Sequence, residues 1–98
     1  MAVWTHQPPE QGGTYYFSGK FLVTNGVQAE LTPLEIAKIY THIQGLVRKE
    51  KGIDYLQVFK NKTGVKLFFI DQLNKAMIES GDYAKEHNYC TLMLASEY

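Results

Sequence analysis

The chain has few of the features that mark a secreted, membrane-spanning or disulfide-bonded protein. Cys90 is the only cysteine, so an internal disulfide is excluded. No apolar run approaches the ~18 residues of a membrane span. Residues 1–13 lack the basic start and the apolar block of a signal peptide. We therefore expect a cytoplasmic protein with no membrane segment.

Motifs that carry catalytic chemistry are equally scarce. The sequence contains no glycine-rich phosphate loop, no Gly-x-Ser-x-Gly elbow and no paired-carboxylate motif. His6, His42 and His87 have no spacing that is typical of a metal site, so we expect neither a metal nor another cofactor. One enzyme hypothesis remains, a site formed by Asp71, His87 and Cys90. Without any catalysis, a helix cap explains Asp71 and a buried apolar role explains Cys90.

Charge is balanced over the whole chain, with ten basic and ten acidic residues, but it is unevenly distributed. Between residues 48 and 66 lie six Lys or Arg and two acids. A protein that binds duplex DNA usually has a much larger basic excess, so nucleic acid is a disfavoured partner. An alternative hypothesis places the six cations on one basic edge that binds an anionic partner: Arg48, Lys49, Lys51, Lys60, Lys62 and Lys66.

What is present is the composition of one globular domain. With 98 residues, 45% of them hydrophobic and 20% charged, the chain can bury a single core. Residues 1–13 contain two prolines and two glycines and predict an irregular arm, which precedes a domain over residues 14–98. Trp4 is the exception within that arm, since a large aromatic side chain usually has a docking place.

The run from Thr32 to Gly52 predicts an amphipathic helix. Thr32 and Glu35 fit a capping box, and Pro33 suits the first helical position. Gly52 can close the helix after its basic last turn. The apolar residues of the helix fall within an arc of roughly 120° on a helical wheel: Ile36, Ile39, Tyr40, Ile43, Leu46 and Val47.

The segment before this helix has a β-rich composition. Residues 14–23 are rich in Tyr, Phe, Leu and Val and predict a strand. Asn25-Gly26 is a strong two-residue turn signal, so residues 27–31 are expected to form a short partner strand.

The segment after the helix predicts a hairpin, a second helix and a last strand. Residues 61–64 are all turn-compatible and join strands at residues 54–60 and 65–70. Two further elements complete the pattern: a helix over residues 72–80 that is capped by Asp71 and ended by Gly81, and a strand over residues 89–95.

The predicted order of elements is therefore β or a β-hairpin, followed by α-β-β-α-β. This is the order of a ferredoxin-like α+β sandwich, with an antiparallel or mixed sheet and two helices on one face. A variant with a different strand order would have the same sequence pattern. We expect a single α+β domain of this sandwich type or a variant of it.

The register of the hairpin sorts its side chains onto two faces. If residues 61–64 form the loop, Lys60 pairs with Val65, and this pair fixes all the others. The predicted core combines one hairpin face with the helix and the last strand: Ile36, Tyr40, Ile43, Val47, Leu56, Val58, Leu67, Leu92 and Leu94. The opposite face is also apolar, although a sheet covered on one side usually has a polar outer face. Its large side chains form a candidate interface: Tyr55, Phe59, Phe68, Ile70 and Met93.

This second apolar face needs a cover. Residues 1–31 could fold across it, a second copy of the chain could pack on it as a homodimer, or a small molecule or nucleic acid could bind there. A base-stacking face of the RNA-recognition type is disfavoured, because Phe68 and Phe69 are adjacent and therefore point to opposite sides.

Residues 66–73 (KLFFIDQL) and 89–98 (YCTLMLASEY) resemble small uncharacterised bacterial proteins that are carried by mobile elements, such as integron gene cassettes, plasmids and phages. The resemblance covers about the last third of the chain and includes no functional motif. It implies a stand-alone bacterial accessory protein, and no site residues carry over from it.

These features together favour a non-enzymatic binding module that forms a homodimer and binds a protein or a small molecule. Two rival hypotheses stay open. The first is a small enzyme with its site at Asp71, His87 and Cys90. The second is a nucleic-acid-associated accessory protein that uses the basic edge at residues 48–66.

Overall fold

A five-stranded mixed sheet and three helices make up the α+β domain in the computed structural model, which describes residues 4–9 and 11–98. The strands are β1 (Thr5–Gln7), β2 (Lys20–Val23), β3 (Leu56–Lys60), β4 (Lys66–Asp71) and β5 (Tyr89–Leu94). The helices are α1 (Asn25–Glu30), α2 (Pro33–Glu50) and α3 (Lys75–Ser80). Two single-turn 3₁₀ helices, Lys85–His87 and Ala95–Glu97, flank the last strand.

The strands lie in the order β1-β3-β4-β5-β2. Strands β3, β4 and β5 form an antiparallel meander, β1 joins it antiparallel to β3, and β2 lies parallel to β5 at the other edge. The predicted α+β class, mixed sheet and element order are confirmed, and the strand order is a variant of the predicted sandwich. None of the helices formed by the described residues is long and apolar enough to cross a membrane.

Helix α2 forms as predicted, because its local signals are complete. The Thr32 hydroxyl accepts a hydrogen bond from the Glu35 amide at 3.2 Å, and the Glu35 carboxylate accepts one from the Thr32 amide at 2.9 Å. Ile39 and Ile43 are fully buried between α2 and the sheet. Lys51 ends the helix in a left-handed conformation, and Gly52 follows with a φ of 119°.

The segment before α2 differs from the prediction. Residues 27–31 do not form a strand, because Asn25-Gly26 begins α1 instead of a turn. The Thr24 hydroxyl caps α1 by accepting a hydrogen bond from the Val27 amide, and Val27 is fully buried. Of the predicted strand over residues 14–23, only β2 is regular, with isolated bridges at Tyr15.

The predicted irregular arm contains a strand, β1, which pairs with β3. Residues 1–3 and 10 of that arm lie outside the described residues. The prediction that Trp4 has a docking place is confirmed: the side chain is 5% exposed, and its indole Nε1–H donates a hydrogen bond to Glu35 at 3.2 Å. The arm is therefore attached to both the sheet edge and α2.

The predicted register of the β3–β4 hairpin is wrong by one residue. Lys60 pairs with Lys66 and not with Val65. The Asn61 amide still donates a hydrogen bond to the Val65 carbonyl at 3.1 Å, and the Asn61 side-chain oxygen accepts hydrogen bonds from the Thr63 and Val65 amides, so only residues 62–64 form the loop. Gly64, at a φ of 90°, supplies the left-handed residue that closes such a three-residue loop.

The shifted register exchanges the two faces of β3. Phe59 is fully buried against α2 together with Leu67, whereas Leu56 and Val58 lie on the opposite face and are only partly buried. The core prediction is thus wrong for Leu56 and Val58 and confirmed for Ile43, Leu67 and Leu92, all fully buried. The remaining predicted core residues pack against the core while partly buried: Ile36, Tyr40, Val47 and Leu94.

Helix α3 begins later than predicted. Asn74, and not Asp71, caps it by accepting a hydrogen bond from the Met77 amide at 2.9 Å. Asp71 is instead the last residue of β4, where it pairs with Cys90 across the sheet. Gly81 ends the helix as predicted, with a φ of 75°.

Candidate functional site

The two faces of the sheet differ in their cover. We call the side that packs on α2 the covered face, and the opposite side the outer face. On the covered face, Phe59, Leu67, Phe69 and Leu92 are fully buried. The apolar side chains of the outer face are Leu22, Leu56, Val58, Phe68, Ile70 and Met93. Ile70 is buried, at 8% exposure, and the other five are partly exposed.

Phe68 stands at the centre of the outer face, because β4 is the middle strand of the five. Its direct neighbours across the strands are Val58 and Met93. All three side chains are partly exposed. The ring of Tyr98, which is itself 75% exposed, meets the Phe68 ring edge to face at 5.6 Å. Phe68 thus occupies the middle of an apolar row that consists of Val58, Phe68 and Met93.

Polar groups border this row. Lys60 and Lys66 are paired directly at the hairpin end of the face and are exposed, and Gln7 lies beside Val58 on the edge strand β1. An apolar centre with a polar rim is the usual anatomy of a surface that another protein covers.

The candidate interface predicted from the sequence is thus only partly assembled. Phe68, Ile70 and Met93 share the outer face. Phe59 does not, since it is fully buried on the covered face, and this corrects the prediction. Tyr55 precedes β3 and places its ring 5.9 Å from that of Tyr15. The predicted interface did not include four further residues of this surface: Leu22, Leu56, Val58 and Tyr98. Leu22 belongs to it through the β2–β5 pairing, which no local signal indicates.

The six cations of the predicted basic edge lie at two different ends of the molecule. Arg48, Lys49 and Lys51 are at the end of α2 that leads into the start of β3. Lys60, Lys62 and Lys66 are at the hairpin end, beyond β3 and its length of about 13 Å. Because β3 carries the chain about 13 Å away from the end of α2, the six cations form two separate groups and not the one continuous edge that the sequence predicted.

Two of the three residues in the enzyme hypothesis come together. Asp71 and Cys90 are cross-strand partners on the covered face, and both are buried. Burial, followed by the charge of Asp71, raises the pKa of the Cys90 thiol to about 12. Burial also raises the pKa of Asp71, although its carboxylate accepts hydrogen bonds from the Phe17 and Gln72 amides.

His87, the third residue, is exposed in the 3₁₀ helix before β5, and among the described residues its ring has no hydrogen bond to Asp71 or Cys90. A protonated, buried thiol is a poor nucleophile. Asp71 instead ties the segment at Phe17 to the end of β4.

Two histidines that no sequence motif relates to each other meet at the β1 edge. His42 Nε2 lies 3.3 Å from His6 Nδ1, and His6 Nε2 lies 2.8 Å from Oε1 of the buried Gln57. The His6 ring stacks on Phe59 at 4.9 Å. Burial lowers the pKa of His6, the Gln57 hydrogen bond opposes this effect, and the nearby His42 adds to it. The pair was missed because β1 lies in the segment predicted to be irregular.

Two concave regions accompany these features. A cavity of about 380 Å³ opens beside His6 and is bordered by Pro8, Pro9, Glu50 and Asp54. A second, more apolar groove of about 680 Å³ separates the edge strand β2 from α2. The cavity beside His6 has none of the outer-face apolar residues in its lining, whereas the groove includes Leu22 at the β2 edge.

Comparisons of the chain with protein-family models, with curated proteins and with solved structures found no match. Function must therefore be inferred from the surfaces and side chains of the molecule itself. The outer face and the His6–His42 pair are the two features whose chemistry a globular fold does not by itself require.

Proposed function

We propose that this chain is a small bacterial accessory module that acts in the cytoplasm as a homodimer and binds a protein or a small molecule. Two copies pack outer face against outer face. The observation that carries the proposal is the partly exposed apolar row Val58-Phe68-Met93 at the centre of the sheet. Residues 1–31 are the alternative cover considered from the sequence. With the described part of that segment in place, all three side chains of this row stay partly exposed.

A second copy of the chain is the occupant that fits this face best. Phe68 lies on the central strand, so a two-fold axis near it brings Phe68 of one chain against Phe68 of the other. Two-fold dimers are the commonest oligomers, because one patch serves both partners. The net charge of zero means that no overall repulsion opposes the association.

The size of the face predicts a reversible dimer. Five strands about 4.8 Å apart and about 16 Å long give roughly 400 Å² in projection, so a pair buries about 800 Å². That area is below the ~1,200 Å² of standard stable interfaces and typical of weak complexes. Dimerisation would leave the side with the 380 Å³ cavity free, and that volume is within the range of small-ligand sites.

The test is a charge placed at the centre of the outer face. Phe68→Asp is expected to abolish association, because the dimer would bury two unpaired carboxylates. Leu34→Asp is the matched control, since Leu34 is 65% exposed on α2, on the other side of the sheet. Sedimentation equilibrium should show Phe68→Asp at the chain mass of 11.2 kDa and Leu34→Asp associating like the wild type.

Circular dichroism separates loss of association from loss of folding, since both variants should keep the helical signal of α2. Folded Phe68→Asp protein that associates as strongly as the wild type would refute the proposal. If Leu34→Asp loses association as fully as Phe68→Asp, the exposed surface of α2 must also belong to the interface.

A further inference from the structure

Two imidazole nitrogens are held close together by two different elements of the fold. His6 is on the edge strand β1, and His42 is on α2, which crosses the covered face. Their rings lie 5.1 Å apart at an angle of 79°, with Nδ1 of His6 and Nε2 of His42 separated by 3.3 Å. His42 is exposed, so the pair can be reached from solvent.

Neighbouring hydrogen bonds fix which nitrogen of His6 is free. The Gln57 side-chain amide donates to the Asp54 carbonyl at 2.9 Å, so its Oε1 is the atom that faces His6. An oxygen can only accept, and His6 Nε2 must therefore donate across the 2.8 Å contact. In the neutral ring, Nδ1 then carries the lone pair and points toward His42.

We propose that His6 Nδ1 and His42 Nε2 together bind a divalent transition metal ion of the Zn²⁺, Ni²⁺ and Cu²⁺ class. Two imidazole nitrogens at 2.0–2.1 Å from a tetrahedral ion are about 3.3–3.4 Å apart, which the present separation of 3.3 Å already matches. Binding requires the exposed His42 ring to carry its proton on Nδ1, and solvent can accept that proton's hydrogen bond. The metal would replace the hydrogen bond between the rings.

Gln57 is the hydrogen-bond partner that orients the proposed metal ligand His6. A metal-bound histidine usually donates its other N–H to an oxygen, and this contact fixes the ring orientation and raises its basicity. Gln57 is 1% exposed and is held by Asp54, so the orientation of His6 is set before a metal arrives. No group of three or more His, Cys, Asp or Glu suited to a metal occurs among the described residues, so water completes the coordination.

The consequence of binding is a link between β1 and α2. β1 has only three residues and lies at the sheet edge, where Trp4 provides the other side-chain attachment to α2. A ligand that binds only the folded state stabilises it by mass action, so Zn²⁺ should raise the melting temperature of the protein.

The third histidine provides a matched control. Calorimetric titration with ZnCl₂ should give one site per chain in the wild type and in His87→Gln, because His87 is exposed and precedes β5, which β3 and β4 separate from β1. His42→Gln should weaken zinc binding by more than about tenfold. Loss of a group that only hydrogen-bonds to a metal ligand already weakens binding by about 10–100-fold, and His42 is itself a proposed ligand. His42 is an exposed helix residue, so this variant is expected to fold.

A second readout identifies the ligating atoms. In ¹⁵N-detected histidine spectra, Zn²⁺ should shift Nδ1 of His6 and Nε2 of His42 and leave His87 unchanged. Zinc affinity that is equal in wild type and His42→Gln, or lost in His87→Gln, would overturn the proposal. These outcomes do not bear on the dimer, because His42 and Phe68 lie on opposite sides of the sheet.

Discussion

Phe68 and Phe69 are neighbours in sequence and on the same strand, yet they belong to different environments. Phe69 points to α2 and is fully buried, with the rings of Phe17 and Phe21 at 4.7 and 5.4 Å. Phe68 points the other way and is partly exposed beside Tyr98. Both faces of β4 are apolar, and the difference between them is set by the helix that packs on one side. Apolar content alone therefore does not identify the core of this sheet.

Truncation of the two phenylalanines should separate the faces most clearly. Phe69→Ala is expected to cost about 3–5 kcal/mol of unfolding free energy, because it leaves a cavity in a closed core. Phe68→Ala should cost distinctly less in dilute, monomeric protein, where its ring is already partly in water. Urea denaturation of both variants measures the difference. Equal costs would show that Phe68 is enclosed as fully as Phe69, and a larger cost for Phe68→Ala would show that the faces are assigned in reverse.

Thiol labelling at two neighbouring positions of β5, the natural Cys90 and a cysteine introduced at Thr91, compares the exposure of the two sheet faces. Cys90 is buried on the covered face, and Thr91 is partly exposed on the outer face. A thiol reagent at pH 8 should label Cys90 slowly in the native protein and quickly in urea. Thr91→Cys in a Cys90→Ala background should label much faster than Cys90. Fast, stoichiometric labelling of native Cys90 would revive its role as a nucleophile.

The raised pKa of Cys90 adds a pH dependence. In the folded protein the pKa is about 12, against 9.0 for an unperturbed thiol. The unfolded chain therefore loses this proton first, and the contribution of Cys90 to stability is full below pH 9 and declines as the pH rises toward 12. Cys90→Ala should remove this part of the alkaline destabilisation in denaturant titrations. An unchanged alkaline slope would mean that the thiol is not shielded.

The smallest effect is expected on the side of α2 that faces solvent. A Cβ added at Gly45 meets no atom within 4 Å, and the residue is in the helix interior. Gly45→Ala should therefore raise the unfolding free energy by about 1 kcal/mol, the difference in helix propensity. A gain in stability accompanied by weaker association would instead indicate that a partner approaches α2 closely at this glycine.

The parts of the fold that local signals determine were predictable from the sequence. Helix α2 is the clearest example, since its capping box and its stop lie within the segment itself. The apolar character of both hairpin faces was also predictable, because a shift of one residue exchanges the faces without changing their composition. Which face is the core was not predictable, since Asn61 to Gly64 are compatible with a loop of either length.

Tertiary contacts decided the rest. Asn25-Gly26 suits a hairpin turn, but β2 pairs with β5, which is distant in sequence, so the chain continues into α1 behind the Thr24 cap. Asp71 suits a helix cap, but the β4–β5 ladder and the Phe17 amide hold it in the sheet. The histidine pair depends on the three-residue strand β1, which is too short for a periodic pattern.

The most direct test of the outer face as an interface is the solution mass of the wild-type chain over a range of concentrations. The mass should rise from 11.2 kDa in dilute protein toward twice that value in concentrated protein, as expected for a reversible two-fold dimer of small area. A folded wild-type protein that stays at 11.2 kDa up to millimolar concentration would contradict it.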